Sequence, residues 1–367
     1  MVEFVTMIHD VAFGGSGVGR LPDGKVVFVP YTISGEQVRA RLVKQTKGFA
    51  EAELAEVLQP SQTRISPSCS YFGSCGGCQY QHMRYREQIR IKEKQLRDTL
   101  QRLGGFRELR EIQVFSSPRE YGYRNKITVH SGQDGQLGYY ARDNRTILDI
   151  ERCPIANDAV NARLSEFRLK KAHPSHISIT DEEERSASPE GSFHQVHADV
   201  AQLLVSWVRE QSQPVKHGTL VDLYCGSGFF TFGLVDLFQD AVGLDYNMAS
   251  IHEATRRAQE EGRAHVRFFA APVEERMEWI LESSSASKRL ILLDPPRQGV
   301  PKEAIEVLRS QLWERLIYVS CDPGTLARDL KLLRRGMEER FSLAAIGLFD
   351  MFPQTAHIEA AVVLNRT

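Results

Sequence analysis

The chain has no apolar run approaching the roughly 20 residues that cross a bilayer, so no membrane association is expected. Its N-terminus, MVEFVTMIHD, lacks a basic stretch followed by an apolar core. A secretory leader is therefore not expected, and the cytoplasm is the expected location. Neither charge is in excess: 46 Lys and Arg stand against 47 Asp and Glu, a net charge of −1. Any acidic partner must then be held by local basic patches. Internal repeats and long low-complexity tracts are also missing. With 42% hydrophobic and 25% charged residues, a disordered or fibrous chain is excluded, and 367 residues suit two or three domains.

Cysteine is scarce but clustered. Three of the six lie in SCSYFGSCGGCQYQ as C-x5-C-x2-C: Cys69, Cys75 and Cys78. In a reducing compartment such a cluster points to a metal or to catalysis rather than to disulfides. Cys153, in ERCPIAN, is the best fourth ligand, and its Cys-Pro step is like the one that ends some iron–sulfur ligand runs. Four thiolates suit a [4Fe–4S] cluster or zinc, and spacing alone does not choose. Gly73, Gly76 and Gly77 let the backbone turn and aim amides at the sulfurs. The C-x3-C-x2-C triplet of radical enzymes is absent.

Residues 1–60 read as short strands and turns, the pattern of a small five-stranded barrel. Gly14, Gly15, Gly17 and Gly19 are followed by neither Lys-Ser/Thr nor a helix, so a hairpin turn fits better than a phosphate loop. Residues 82–103 read as a helix with Ile89, Leu96, Leu100 and Leu103 on one stripe, stopped by Gly104-Gly105. Residues 84–110 carry nine basic and four acidic side chains. A solvated face laced with i,i+4 pairs is the plainer reading of that patch, and RNA phosphates the sharper one. Residues 112–155 look β-rich, and DEEERSASPEGS (181–192) reads as a loop.

From residue 218 strands and helices alternate, predicting a doubly wound domain of about seven strands that ends in an antiparallel hairpin. The first strand, LVDLY, runs into Asp222-Leu-Tyr-Cys-Gly226-Ser-Gly228, and the next ends at Asp245. A G-x-G turn with an acidic residue placed for a ribose diol suggests S-adenosylmethionine (SAM) rather than a dinucleotide. Two later strands end in Asp294-Pro-Pro-Arg297-Gln-Gly299 and Ser320-Cys321-Asp322-Pro323. The last opens with Phe352-Pro-Gln-Thr-Ala-His357-Ile-Glu359, where alternation puts His357 and Glu359 on one face. Carbon 5 of a pyrimidine is a poor nucleophile until a thiolate adds at carbon 6. The adduct must then lose its carbon-5 proton to a base. Cys321 and Glu359 supply that pair, with His357 and Asp294 able to position base or pyrimidine.

These segments, Asp294-Pro-Pro-Arg-x-Gly299, Ile317-Tyr-Val-Ser-Cys321-x-x-x-Thr325 and Phe349-Asp-x-Phe-Pro-Gln-Thr-x-His-Ile-Glu359, resemble the two signatures of the RNA uracil-5-methyltransferases. The likeness extends over essentially the whole chain, to members with a TRAM domain and an Fe–S cluster. It implies a multidomain α+β architecture of three parts. These are an OB-like TRAM barrel at 1–60, an Fe–S-bearing central RNA-binding domain at 61–190, and at 191–367 a Rossmann-like class I SAM methyltransferase domain. It also implies that Cys321 is the nucleophile and Glu359 the base, and that Gln195, Tyr224, Asp245 and Asp294, with Gly226 and Gly228, meet SAM. Cys69, Cys75, Cys78 and Cys153 match the [4Fe–4S] ligands. The run Tyr121-Gly-Tyr123-Arg124-Asn125-Lys126 resembles a segment that lines the RNA channel, so Tyr123, Arg124 and Lys126 join Arg297 and His357 as RNA candidates.

Three departures stand out: Asp322 replaces the usual Asn and should raise the Cys321 pKa unless Arg297 offsets it; Phe229 replaces a common Asn; and Ala270-Ala271-Pro272 lacks a polar residue for the adenine, leaving backbone or Glu274. The expected activity is 5-methyluridine formation in 23S ribosomal RNA by a monomer. The rivals are a transfer RNA substrate, methyl transfer to another nucleophile such as cytosine, and a non-catalytic RNA-binding or assembly protein.

Overall fold

The computed structural model describes residues 2–132, 135–170, 174–181, 195–283 and 288–366. Most of the 181–192 loop, and Phe193 and His194 before Gln195, lie outside them. The chain divides into two compact units, each assembled from separated segments. The first comprises Met1–Gln95, Pro118–Ser186 and Phe352–His357; the second comprises Leu96–Ser117, Ala187–Met351 and Ile358–Thr367.

In the first unit, β1 (Glu3–Met7), β2 (Asp10–Val11), β3 (Ser16–Arg20), β4 (Val26–Pro30), β5 (Gln37–Gln45) and β6 (Phe49–Gln59) form one sheet. Its order is β1-β5-β6-β4-β3-β2. The sixth strand arises because the first predicted strand is interrupted at Ile8-His9, and its halves occupy the two edges of the sheet. The two edge strands of the sheet are thus consecutive in the chain, the halves of one interrupted strand. Alternate residues, among them Phe4, Val27, Val29, Val38, Ala40 and Ala50, fill the interior. Gly14 and Gly15, both with positive φ, make the turn between β2 and β3.

Helix α1 (Tyr85–Arg102) spans the division between the units. Leu96 and Leu100 are buried, but Leu103 lies past the helix end and is 54% exposed, unlike the predicted stripe. After it, β7 (Ile112–Phe115) belongs to the second unit. β8 (Lys126–Ser131), β9 (Leu137–Tyr140), β10 (Ile147–Asp149) and β11 (His176–Thr180) make a four-stranded antiparallel sheet ordered β10-β9-β8-β11. Helix α2 (Asp158–Arg168) is capped by Asn157, whose side chain accepts from the Val160 N–H at 2.8 Å.

The second unit is built on α3 (Ala198–Ser212), β12 (Thr219–Leu223), α4 (Phe229–Leu234), β13 (Asp240–Asp245), α5 (Met248–Glu260), β14 (Val266–Ala270) and α6 (Val273–Ser283). It continues with β15 (Arg289–Leu293), α7 (Lys302–Ser310), β16 (Arg315–Ser320), α8 (Pro323–Arg334), β17 (Phe341–Phe349) and β18 (Glu359–Arg366). The sheet order is β14-β13-β12-β15-β16-β18-β17-β7. Seven of its strands are those the sequence pattern anticipates, and β7 adds an eighth, parallel to β17. The strands β12, β16 and most of β15 and β18 are buried along their length, as central strands covered on both faces must be. Strand order reverses between β12 and β15, and ligands bind beyond the carboxyl ends of strands at such a switch point.

Candidate active site

The carboxyl ends of β12, β13, β15 and β16 present Tyr224, Asp245, Asp294 and Cys321. β18 runs antiparallel, and its Ala360 pairs with Ser320 of β16. Its first residue, Glu359, therefore starts beside the point where β16 ends in Cys321, and the two side chains interact. Cys321 is half-buried, and the exposed Arg297 hydrogen-bonds to its sulfur. Burial pushes the thiol up to about 11; the Glu359 and Asp294 carboxylates add to this, while the Arg297 guanidinium opposes it.

Glu359 is buried, and burial together with Asp294 holds its carboxyl well above the usual range. Asp294 is itself raised to about 7 by burial and by Asp222. A thiol, a guanidinium and two carboxyls that resist ionisation thus share one place. A carboxylate so destabilised is a strong proton acceptor once ionised.

Asp322 does not act as the sequence suggests. Its carboxylate caps α8, accepting from the Thr325 N–H at 2.9 Å, and the groups that raise the thiol are Glu359 and Asp294. The Asp294–Gly299 loop is held from α8 by Asp329, which sequence reasoning missed. The buried Asp329 carboxylate accepts from the Val300 N–H at 2.8 Å and the Tyr318 hydroxyl at 2.7 Å. A Cβ on Gly299 would lie 2.4 Å from that carboxylate, and φ is +79°, so only glycine fits. The signal was there: Asp329 interrupts the buried stripe of Leu326, Leu330 and Leu333.

At the β12 turn, Asp222 is fully buried, accepts from the Thr231 hydroxyl at 2.6 Å, and leaves Oδ1 without a partner. Burial raises its pKa to about 7. The Tyr224 hydroxyl is likewise buried and unpartnered, and burial with nearby Glu274 raises its pKa. Asp245 is engaged through both oxygens, by the Gly226 N–H at 3.0 Å and the Asn247 N–H at 2.8 Å. Each oxygen keeps a lone pair for a further donor. Gly228 has φ +85°, and a Cβ there would press on the Phe232 ring at 2.7 Å. Gln195 is half-buried in the same unit. The Phe229 ring packs edge-on against Phe230.

In the first unit Cys69, Cys75, Cys78 and Cys153 line one cavity of about 90 Å³, otherwise mostly apolar, with Arg124 and Tyr139. The Gly77 N–H points at Cys75 Sγ at 3.4 Å, and the Tyr71 and Phe72 amides bond to the Cys69 sulfur. Burial pushes the Cys78 thiol up to about 12 and also raises Cys69 and Cys75. The Tyr139 hydroxyl and Arg124 Nε are both buried there without a hydrogen-bond partner. Among the described residues no three His, Cys, Asp or Glu side chains converge as a group that could hold one ion.

Several RNA candidates are placed otherwise than expected. Tyr123 is 2% exposed and donates its hydroxyl to the Pro353 carbonyl at 3.0 Å, so it has no ring face to offer a base. Arg124 lines the cysteine cavity rather than a solvent-facing channel. Lys126 is half-buried on β8, and His357 lies in the first unit with its ring against Phe352. Helix α1 follows the plainer reading only in part, through the i,i+4 pair of Arg102 with Asp98. Lys92 is buried and donates to the Phe352 carbonyl, Lys94 pairs with Asp10 at 2.6 Å, and Arg90 pairs with Glu87.

Among the described residues no helix is long and apolar enough to cross a membrane. The family model described as tRNA (Uracil-5-)-methyltransferase matches residues 170–367, and the TRAM domain model matches residues 7–55. An RNA methyltransferase of Synechocystis is 31% identical over 437 aligned residues, 96% of this chain and 93% of the relative. The 23S rRNA (uracil(1939)-C(5))-methyltransferase of Acidithiobacillus ferrooxidans is 29% identical, across 96% of this chain and 95% of the relative. The crystal structure of the Pyrococcus abyssi tRNA (uracil-54, C5)-methyltransferase with S-adenosyl-L-homocysteine has the same fold. Its TM-score is 0.71 at 21% identity, over 98% of this chain and all of that one. The chain belongs to the tRNA (uracil-5-)-methyltransferase family and is an RNA (uracil-5-)-methyltransferase that carries a TRAM domain.

Proposed function

We propose that the protein methylates carbon 5 of a uridine in RNA, with Cys321 as nucleophile and Glu359 as base, and that the RNA is ribosomal. The observation that carries this is the meeting of Cys321, Arg297, Glu359 and Asp294 at the ends of β16, β15 and β18. Arg297 favours the thiolate against burial, and the sulfur bonds to carbon 6, making carbon 5 nucleophilic. After carbon 5 is methylated, its proton passes to Glu359, the C6–S bond breaks and the ring double bond returns. The high pKa of Glu359 matches it to a carbon acid.

SAM, when bound, supplies an electrophilic methyl group. Gln195, Tyr224, Gly226, Gly228, Asp245 and Asp294 would hold it. The unpartnered buried oxygens of Tyr224 and Asp222 suit a ligand that brings its own hydrogen-bonding groups. Cys69, Cys75, Cys78 and Cys153 would hold a [4Fe–4S] cluster. Their cavity is several times larger than the roughly 10–15 Å³ that seats one water, which favours a cluster over a lone zinc ion. Arg124, on the cavity wall with its Nε buried and unpartnered, would offset thiolate charge.

Ribosomal RNA is favoured because the Acidithiobacillus 23S rRNA enzyme, similar along the length of both chains, is 29% identical, against 21% for the Pyrococcus tRNA enzyme. The test is tritium release from RNA carrying 5-³H-uridine, with ribosomal and transfer RNA assayed separately and SAM present or omitted. Release from ribosomal RNA that needs both SAM and Cys321 is expected. Release only from transfer RNA would reassign the substrate, and none from either would leave an RNA-binding protein.

A further inference from the structure

The first unit carries a second, polar groove of about 250 Å³, lined by Gly14, Gly15, Ser16, Tyr31, Gln79 and Arg142, with Asn144 at its rim. Arg142 is exposed, and its guanidinium carbon lies 4.9 Å from the centre of the Tyr31 ring. No carboxylate among the described residues pairs with it. The adjacent Asp143 is turned into its own loop, where it accepts from the Arg145 and Thr146 amides and the Thr146 hydroxyl. Among the described residues lining this groove Arg142 is the one cation, and it is stacked on Tyr31 and open to an anion.

Tyr31 is held there at a conformational cost. Its φ is +62°, a region that bulky side chains rarely adopt. The strain is fixed from below: Arg64 donates to the Tyr31 carbonyl at 2.8 Å and is itself clamped in two bonds by the buried Glu36. The Tyr31 ring stands edge-on to Phe72 with centroids 4.9 Å apart, and Phe72 lines the cysteine cavity. The loop that carries Cys75 is stitched to the strand leading to Arg142. Cys75 bridges to Ala141, and the Gly76 N–H donates to the Tyr140 carbonyl at 3.2 Å. Gln79, on the groove wall, is locked at both ends by the Gly76 carbonyl and the Ala356 N–H.

We propose that this groove binds one nucleotide of the substrate RNA other than the reacting uridine. Its phosphodiester pairs with Arg142 and its sugar and base lie against the Tyr31 and Gly14–Ser16 wall. A stacked guanidinium over an aromatic ring with glycines beside it is chemistry suited to an unpaired strand. The proposal rests on the RNA reading above, and it gives the cysteine loop a role: a cluster joining its Cys69, Cys75 and Cys78 to Cys153 would fix the wall of the groove.

The test uses the full-length, iron-loaded protein and the RNA that gives tritium release, with filter binding at graded KCl. Arg142→Ala should weaken binding about fivefold and lower the salt slope by about 0.7–0.9, the loss of one phosphate contact. Arg142→Lys should keep the slope. Asn144→Asp, which adds a negative charge at the rim and suits the observed φ of +55°, should weaken binding with iron content intact. Wild-type affinity and slope in Arg142→Ala, beside a wild type that releases tritium, would overturn the groove alone. A wild type that neither binds nor methylates RNA would overturn the functional reading with it.

Discussion

Two sets of thiols in this chain share one feature and differ in another. Burial pushes Cys78 up to about 12 and Cys321 up to about 11, so both would be inert in isolation. Around Cys78 the Gln81 side chain bonds to the sulfur and lowers its pKa, while three other thiols, Cys153, Cys75 and Cys69, raise it. Around Cys321 the neighbours are an exposed guanidinium that bonds to the sulfur and two carboxyls held above their ordinary range. On the proposed function the same side chain would serve as a ligand in one setting and as a nucleophile in the other, with its neighbours deciding which. Sulfurs that crowd each other need a shared cation; a sulfur flanked by Arg and a high-pKa Glu can attack carbon and hand on a proton.

The sharpest way to break the contrast is to remove the nucleophile. Cys321→Ala should lower methylation by about 10⁴-fold or more while iron content and RNA affinity hold; measurable turnover would place the nucleophile elsewhere. Glu359→Gln should cost about 10²–10⁴-fold and leave RNA bonded to the protein, because the adduct forms but cannot lose its proton. A denaturing gel without a shifted band would reject that role.

Arg297→Met makes Cys321 resemble the cavity thiols. Loss of the cation should lift the thiol pKa further, so activity falls at neutral pH and its rising limb moves to higher pH. An unmoved pH profile would show that another group stabilises the thiolate. In the other unit, Cys69→Ser should abolish iron and sulfide binding and lower the melting temperature of the isolated protein, yet leave SAM affinity unchanged.

The smallest expected effect concerns Asp222. Its folded pKa, about 7, lies above the ordinary value near 4, so the folded state holds a proton that the unfolded chain releases. Its contribution to stability is complete below about pH 4 and is lost as pH rises through 7. Asp222→Asn should therefore lose less melting temperature between pH 5 and 8 than the wild type; parallel curves would contradict this.

Much of the site could be read in the sequence because it sits at strand ends, where a polar residue after an apolar run is conspicuous. Asp294, Cys321 and Glu359 all stand at such ends, and sheet register brings Glu359 to Cys321. That Cys69, Cys75 and Cys78 lie close together follows from their short spacing among glycines, whereas Cys153, far off in ERCPIAN, reaches the same cavity only through the fold. What failed was the direction of long cationic side chains. Arg124 turns into the cysteine cavity and Lys92 is buried against a carbonyl, while Arg142, unremarkable in the sequence, faces solvent. Strand alternation and helical spacing fix a residue's face, not where a four-carbon chain ends. The eighth strand was missed because Ile112–Phe115 is only four residues long, and it joins its sheet through tertiary pairing with β17.

The most direct measurement is mass spectrometry of the complex trapped on ribosomal RNA containing 5-fluorouridine, whose carbon 5 has no proton to give up. The expected result is a methylated nucleotide bonded to Cys321, formed only when SAM is present. Trapping at another cysteine, or no covalent species from a protein that methylates ordinary RNA, would contradict the assignment of Cys321 as nucleophile.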